Sequence, residues 1–114
     1  MLDPLSGKLE QYMTLLSVRQ KLVASNIANA DTPDYKTKDI DFESEFRQAI
    51  AAPNSAPSVS DVTGLRVKPD GNNVDIDREA RLLSENAIRF SVASNLLRSQ
   101  LKNIRLAITG GGGA

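Results

Sequence analysis

The sequence predicts a mainly α protein: two long terminal amphipathic helices packed as an antiparallel coiled-coil hairpin, joined by a partly irregular middle with a short helix and a small β arm. Three observations carry this expectation. Apolar residues recur at helical spacing from Leu5 to Ala28, a seam with steps of three and four runs through the last third of the chain, and a stretch rich in Ala, Ser and Pro between them has no period at all.

In the first segment, residues 1–30, Leu5, Leu9, Tyr12, Leu16 and Val23 make one stripe, widened by Met13, Leu15, Val18, Leu22 and Ile27. Pro4 suits a first helical turn with Asp3 as its cap, and the helix has to end before Pro33, because the residue preceding a proline avoids the helical region. The middle segment, residues 31–75, holds a short helix after Asp41 with Phe42, Phe46 and Ile50 on one face. Residues 51–63 read as a mobile loop. The alternation Leu65, Arg66, Val67, Lys68 before the Pro69-Asp70-Gly71 turn predicts a short strand or hairpin arm.

The C-terminal segment, residues 76–109, is the most regular. Ile76, Ala80, Leu83, Ala87, Phe90, Ser94, Leu97, Leu101, Ile104 and Ile108 follow one another at alternating steps of four and three, interrupted only by Ser94, which is a 3.5-residue seam. Asp75 is its N-cap, Asp77 and Glu79 put negative charge in the first turn, and Lys102 and Arg105 sit near the negative end of the helix dipole. Residues 110–114 form a flexible glycine tail, native or added. A helix of this length is about 50 Å long and needs partners. With only five aromatic side chains, the core is aliphatic and elongated. The isolated hairpin is expected to be marginally stable, and partly unfolded until neighbouring subunits complete its burial.

The 14 basic and 14 acidic residues cancel overall but are unevenly placed: residues 31–77 carry five basic and ten acidic, residues 78–114 six and two. That split supports electrostatic contacts between copies or differently solvated surfaces. No basic tract is dense enough to predict a nucleic-acid partner. Cysteine and histidine are both absent, which removes disulfides, thiolate chemistry and the usual general bases and transition-metal ligands. The expectation is a non-enzyme with no catalytic residues, no cofactor and no metal. No window approaches the roughly 18 apolar residues of a membrane span, and no cleaved signal pattern is visible, so direct membrane insertion is not expected.

The segment from Ala24 to Lys36 concentrates asparagines that favour helix ends, small residues that permit close approach, and a Thr32-Pro33 step that forces an extended exit. Its string Asn26-Ile27-Ala28-Asn29-Ala30-Asp31-Thr32-Pro33-Asp34-Tyr35, after an amphipathic helix, resembles the signature of the bacterial flagellar rod and hook axial proteins. The later run from Asp70 to Glu79, followed by a heptad helix, is similar to proximal-rod members of that family, and the stretch from Leu15 to Leu22 also fits. Asp34 departs from the family pattern, which has glycine before the tyrosine and a positive φ; aspartate tolerates that region better than most residues.

The resemblance implies a structural subunit of the proximal rod, needed for motility. It would be made in the cytoplasm, exported by the flagellar type III apparatus without a cleaved signal peptide, and assembled in the periplasmic basal body. The partners it implies are other rod subunits, copies of itself, the export machinery, and proteins at the junction of the MS ring and export gate. Asn26, Ile27, Ala28, Asn29, Thr32, Pro33 and Tyr35 are expected to form a turn that also touches an adjacent subunit. Leu83, Ala87, Phe90, Leu97, Leu101 and Ile104 are expected to be the helix seam, facing Leu9, Tyr12, Leu16 and Val23, within the hairpin or between subunits. A competing expectation is a soluble helical-hairpin adaptor or export chaperone that binds another protein's helix through the same stripe. A cell-wall-remodelling enzyme lacks support, since no paired-carboxylate motif is recognisable.

Overall fold

The computed structural model describes residues 3–110. The elements in order are α1 (Pro4–Ala28), β1 (Lys38–Asp39), α2 (Phe42–Ala51), β2 (Ser60–Asp61) and α3 (Ile76–Thr109). Each helix starts where its cap was expected: the carboxylates of Asp3, Asp41 and Asp75 accept from the backbone N–H of Ser6, Ser44 and Arg78 respectively. Asn29 closes α1, and its side chain donates to Ser25 O at 2.8 Å. Apart from Gly110, which caps α3, the glycine tail lies outside the described residues.

The two long helices pack antiparallel, since Asp3 meets Gln100, Leu16 meets Asn86 and Asn26 meets Glu79. The chain is elongated, 69 × 26 × 18 Å, with a radius of gyration of 18.3 Å, against about 13 Å for a compact domain of this length. Its apolar core is small and off-centre: Leu15 of α1, Ile40 after β1 and Ala49 of α2, with Val18, Leu22, Phe42 and Phe46 packed around them.

Three sequence expectations are corrected. The face that α3 turns to α1 is not the predicted seam but the row about one residue earlier, where Glu79, Leu82, Asn86 and Ala93 are buried. Leu83, Ala87, Phe90 and Leu101 are exposed, and Leu97 and Ile104 are half-buried. The reason is polar. Glu79, Asn86 and Gln100, spaced by heptad multiples, each find a hydrogen-bond partner on α1 or its cap, while Ala93 between them lets the helices approach. On α1, Leu16 and Val23 are buried as expected, but Leu9 and Tyr12 are half-buried, and the Tyr12 ring stands edge-on to Phe42 and Phe46 of α2 at 5.3 and 5.5 Å.

The second correction concerns α2, which buries Glu45 and Ala49 and leaves Ile50 exposed. The third is the β arm. A small β arm is present but elsewhere: residues 65–68 form no strand, and the pairing is antiparallel between Lys38–Asp39 and Ser60–Asp61, the second of which lies inside the stretch expected to be only a mobile loop. Val62 N–H extends it to Thr37 O, and Lys38 and Asp61 form an ion pair across it.

Asp34 adopts φ 63°, so the departure from glycine keeps the left-handed turn. Opposite it stands Gly71 at φ 86°, where an added Cβ would lie 2.0 Å from Asp34 Oδ1 and 3.3 Å from its Cα. Gly71→Ala is expected to cost about 2 kcal/mol through clash and backbone strain. Adding Asp34→Gly should return part of it. Thermal melts of the single and double variants check this, and an unchanged midpoint for Gly71→Ala would contradict it.

Candidate assembly interface

The turn after α1 is built by its asparagines. Asn26, fully buried near the end of α1, uses every hydrogen-bonding position it has: Nδ2 donates to Lys38 O at 2.9 Å and Glu79 Oε1 at 2.5 Å, while Oδ1 accepts from the Tyr35 hydroxyl at 2.9 Å and Lys38 N–H at 3.1 Å. One side chain thereby ties α1, the strand that follows and the first turn of α3.

A second layer comes from the segment before α3. Asn72 Nδ2 donates to the carbonyls of Asn29 and Thr32, both at 2.8 Å. Asn73 Oδ1 accepts from Thr37 N–H and the Thr37 hydroxyl at 2.7 and 2.8 Å. Lys68 Nζ reaches Ala30 O at 2.8 Å and Lys36 Nζ reaches Gly71 O. Thr32 Oγ1 donates to Asn29 Oδ1 at 3.0 Å.

Beneath this knot lies a buried charge relay. Arg19 of α1 grips Asp39 with two bonds of 3.1 and 2.9 Å, and Arg78 of α3 bridges Asp39 Oδ2 and Glu79 Oε2, each at 2.6 Å. Burial pushes the Asp39 carboxyl up, but the Arg19 guanidinium, the Ile40 amide and Arg78 together outweigh it, and the group titrates below the ordinary carboxylate range. Asp39, Arg78, Glu79, Asn72, Asn73 and Asn86 carry this geometry without having been singled out as site residues from the sequence. Only the adjacent Asn72-Asn73 after Asp70-Gly71, and acidic Glu79 beside an apolar seam, hinted at them.

Of the turn residues read from sequence, Asn26, Asn29, Thr32 and Tyr35 join the internal network, Thr32 while staying exposed, whereas Ile27, Ala28 and Pro33 present exposed surface. The α3 seam residues lie on one flank of the contact with α1, Leu97 and Ile104 half-buried and the others exposed. Beside them an open groove of about 530 Å³ runs between the helices, lined by Leu16, Ser17, Gln20, Lys21, Asn86, Ala87 and Phe90. On the opposite flank Ile88, Val92 and Leu96 are exposed along a second apolar groove with Leu5, Leu9 and Tyr12. Exposed aliphatic stripes of this kind are characteristic of surfaces that bind partner chains, membranes or ligands. Among the described residues no group of side chains could hold a metal ion, and no helix is long and apolar enough to cross a membrane.

Residues 13–36, the later part of α1 and the turn after it, match the family model described as flagella basal body rod protein. Over 97% of its length the chain is 33% identical to the flagellar basal body rod protein FlgB of Salmonella typhimurium, covering 99% of that protein. It is likewise 33% identical to the FlgB of Borrelia hermsii over 86% of the chain and 90% of the relative, and 29% identical to that of Bacillus subtilis over 90% and 92%.

Proposed function

We propose a structural function for this chain from the premise that it belongs to the flagellar basal body rod proteins of the FlgB type. It is a non-enzymatic component of the basal-body rod. Beyond that, in our reading, it occupies the proximal rod, links the MS ring and export gate to the distal rod, and is needed for motility. Its terminal helices assemble with other rod subunits and with copies of itself.

The observation that carries this reading is the division of labour on α3. Its inner row is pinned to α1 by polar groups, so most of its apolar seam is left on an open flank of the helix pair, where another chain can bury it. Passage through a type III channel without a cleaved signal is the finer part of the proposal. It draws support from a chain whose buried set is as much polar as apolar, since so small a core is easily unfolded and is completed by neighbours.

The test is a strain lacking the gene, complemented with Leu83→Glu/Phe90→Glu. Both side chains are exposed in the monomer, so circular dichroism of the purified variant should match wild type while cells make no rod and do not swim. Normal swimming would overturn the reading.

A further inference from the structure

Charges of opposite sign are exposed at the two ends of the 69 Å hairpin, each beside exposed aliphatic side chains, and the two ends complement each other. At one end α3 runs past α1: Gln100 meets Asp3, the α1 cap, and residues 101–109 continue beyond that contact for about 14 Å. On this overhang Leu101, Leu106 and Ile108 are exposed, Ile108 at 77%. Lys102 and Arg105 lie along one side of it, in line with Arg98 just before it, and no Asp or Glu follows Glu85 in the chain.

At the other end the turn and the start of α3 expose Asp31, Asp34, Asp70, Asp75 and Asp77, with Ile27 and Ile76 exposed among them. Of the cations nearby, Lys36 and Lys68 are held on backbone carbonyls, Arg78 is paired with Asp39 and Glu79, and Arg66 and Arg81 are exposed, fewer than the exposed aspartates. Complementing the dipole of α3 accounts for acid at its start and base at its end. It does not account for aliphatic side chains exposed at both ends.

Resting on the rod-subunit reading, we propose that the basic, aliphatic overhang of α3 docks on the acidic turn end of a second copy of this chain, giving a polar, head-to-tail contact distinct from the lateral seam. Such a contact is heterologous: it leaves one free overhang and one free turn end after each addition, so it propagates instead of closing. Opposite charges orient the two copies, and the exposed aliphatics supply the area that desolvates.

Sedimentation velocity of the purified protein over a concentration series tests this, at salt near 10 mM and near 1 M, where the Debye length is about 30 Å and about 3 Å. The expected result is concentration-dependent association at low salt that weakens at high salt. Lys102→Glu/Arg105→Glu and Asp31→Lys/Asp77→Lys should each weaken it at least about tenfold with circular dichroism unchanged. Mixing the two reversed variants should restore association at 1:1 stoichiometry, because the acidic overhang of one meets the basic turn end of the other and the native pair of ends remains available at the next junction. A protein that stays monomeric throughout, or associates equally well with either end reversed, overturns the proposal. Since Leu83 and Phe90 are unchanged in these variants, that failure would leave the seam-based rod reading standing, and the swimming assay tests that reading separately.

Discussion

Asn26→Ala should destabilise the monomer by about 4 kcal/mol, because one truncation strands Lys38 N–H, Lys38 C=O, the Tyr35 hydroxyl and Glu79 Oε1, and each buried polar group left unpaired costs about 1–3 kcal/mol. The total is discounted because Tyr35 and Lys38 are only half-buried and Glu79 keeps Arg78. A loss of that size is a large share of the stability of a small domain. Asn26→Asp separates chemistry from volume. It replaces the amide that donates to Glu79 by an oxygen, setting two carboxylates against each other in a fully buried place. At neutral pH it should be at least as damaging as alanine, and lowering the pH should recover part of the loss as one carboxyl protonates. Denaturant unfolding followed by circular dichroism measures both. A loss below about 1 kcal/mol for Asn26→Ala, the range of an exposed bond, would refute the hub.

The second large effect is expected at Asp39. Asp39→Ala leaves Arg19 and Arg78 facing one another without the carboxylate both bind, and breaking a buried pair from one side costs about 3–5 kcal/mol. With these side chains 9–18% exposed, about 3 kcal/mol is the expected loss. Adding Arg19→Leu to Asp39→Ala should recover part of it, giving a coupling of about 1–3 kcal/mol in a double-mutant cycle. The lowered titration of Asp39 fixes the pH dependence. A carboxyl depressed in the folded state contributes fully above the unfolded value of about 3.9, and that contribution is lost as pH falls from there through the lower folded value. Melting temperatures should therefore drop below about pH 4, and more shallowly for Asp39→Asn. Parallel acid limbs for the two proteins would contradict the assignment.

Both effects sit on residues that the chain's local pattern describes only in part. Asn26 stands out as a helix-end asparagine before Thr32-Pro33, but local pattern does not show that its side chain reaches Lys38 and Glu79, 12 and 53 residues away. Asp39 reads as an ordinary acid in an acidic segment. The β1–β2 pair is two residues long on each side, too short to show alternation.

Caps, helix spans and the rod-protein signature were legible because each depends on neighbours within a turn or two: Asp3, Asp41 and Asp75 cap their helices through the third residue on. The side of α3 that meets α1 was not. The helix carries two overlapping rows about 100° apart, one apolar through Leu83, Phe90 and Leu101 and one mixed through Glu79, Asn86 and Ala93. Periodicity alone favours the apolar row. Tertiary structure chose the other, because Asn26, the Leu16 carbonyl and Asp3 hold matching groups on α1 that only a polar row can satisfy, and the apolar row is left along the open flank of the contact.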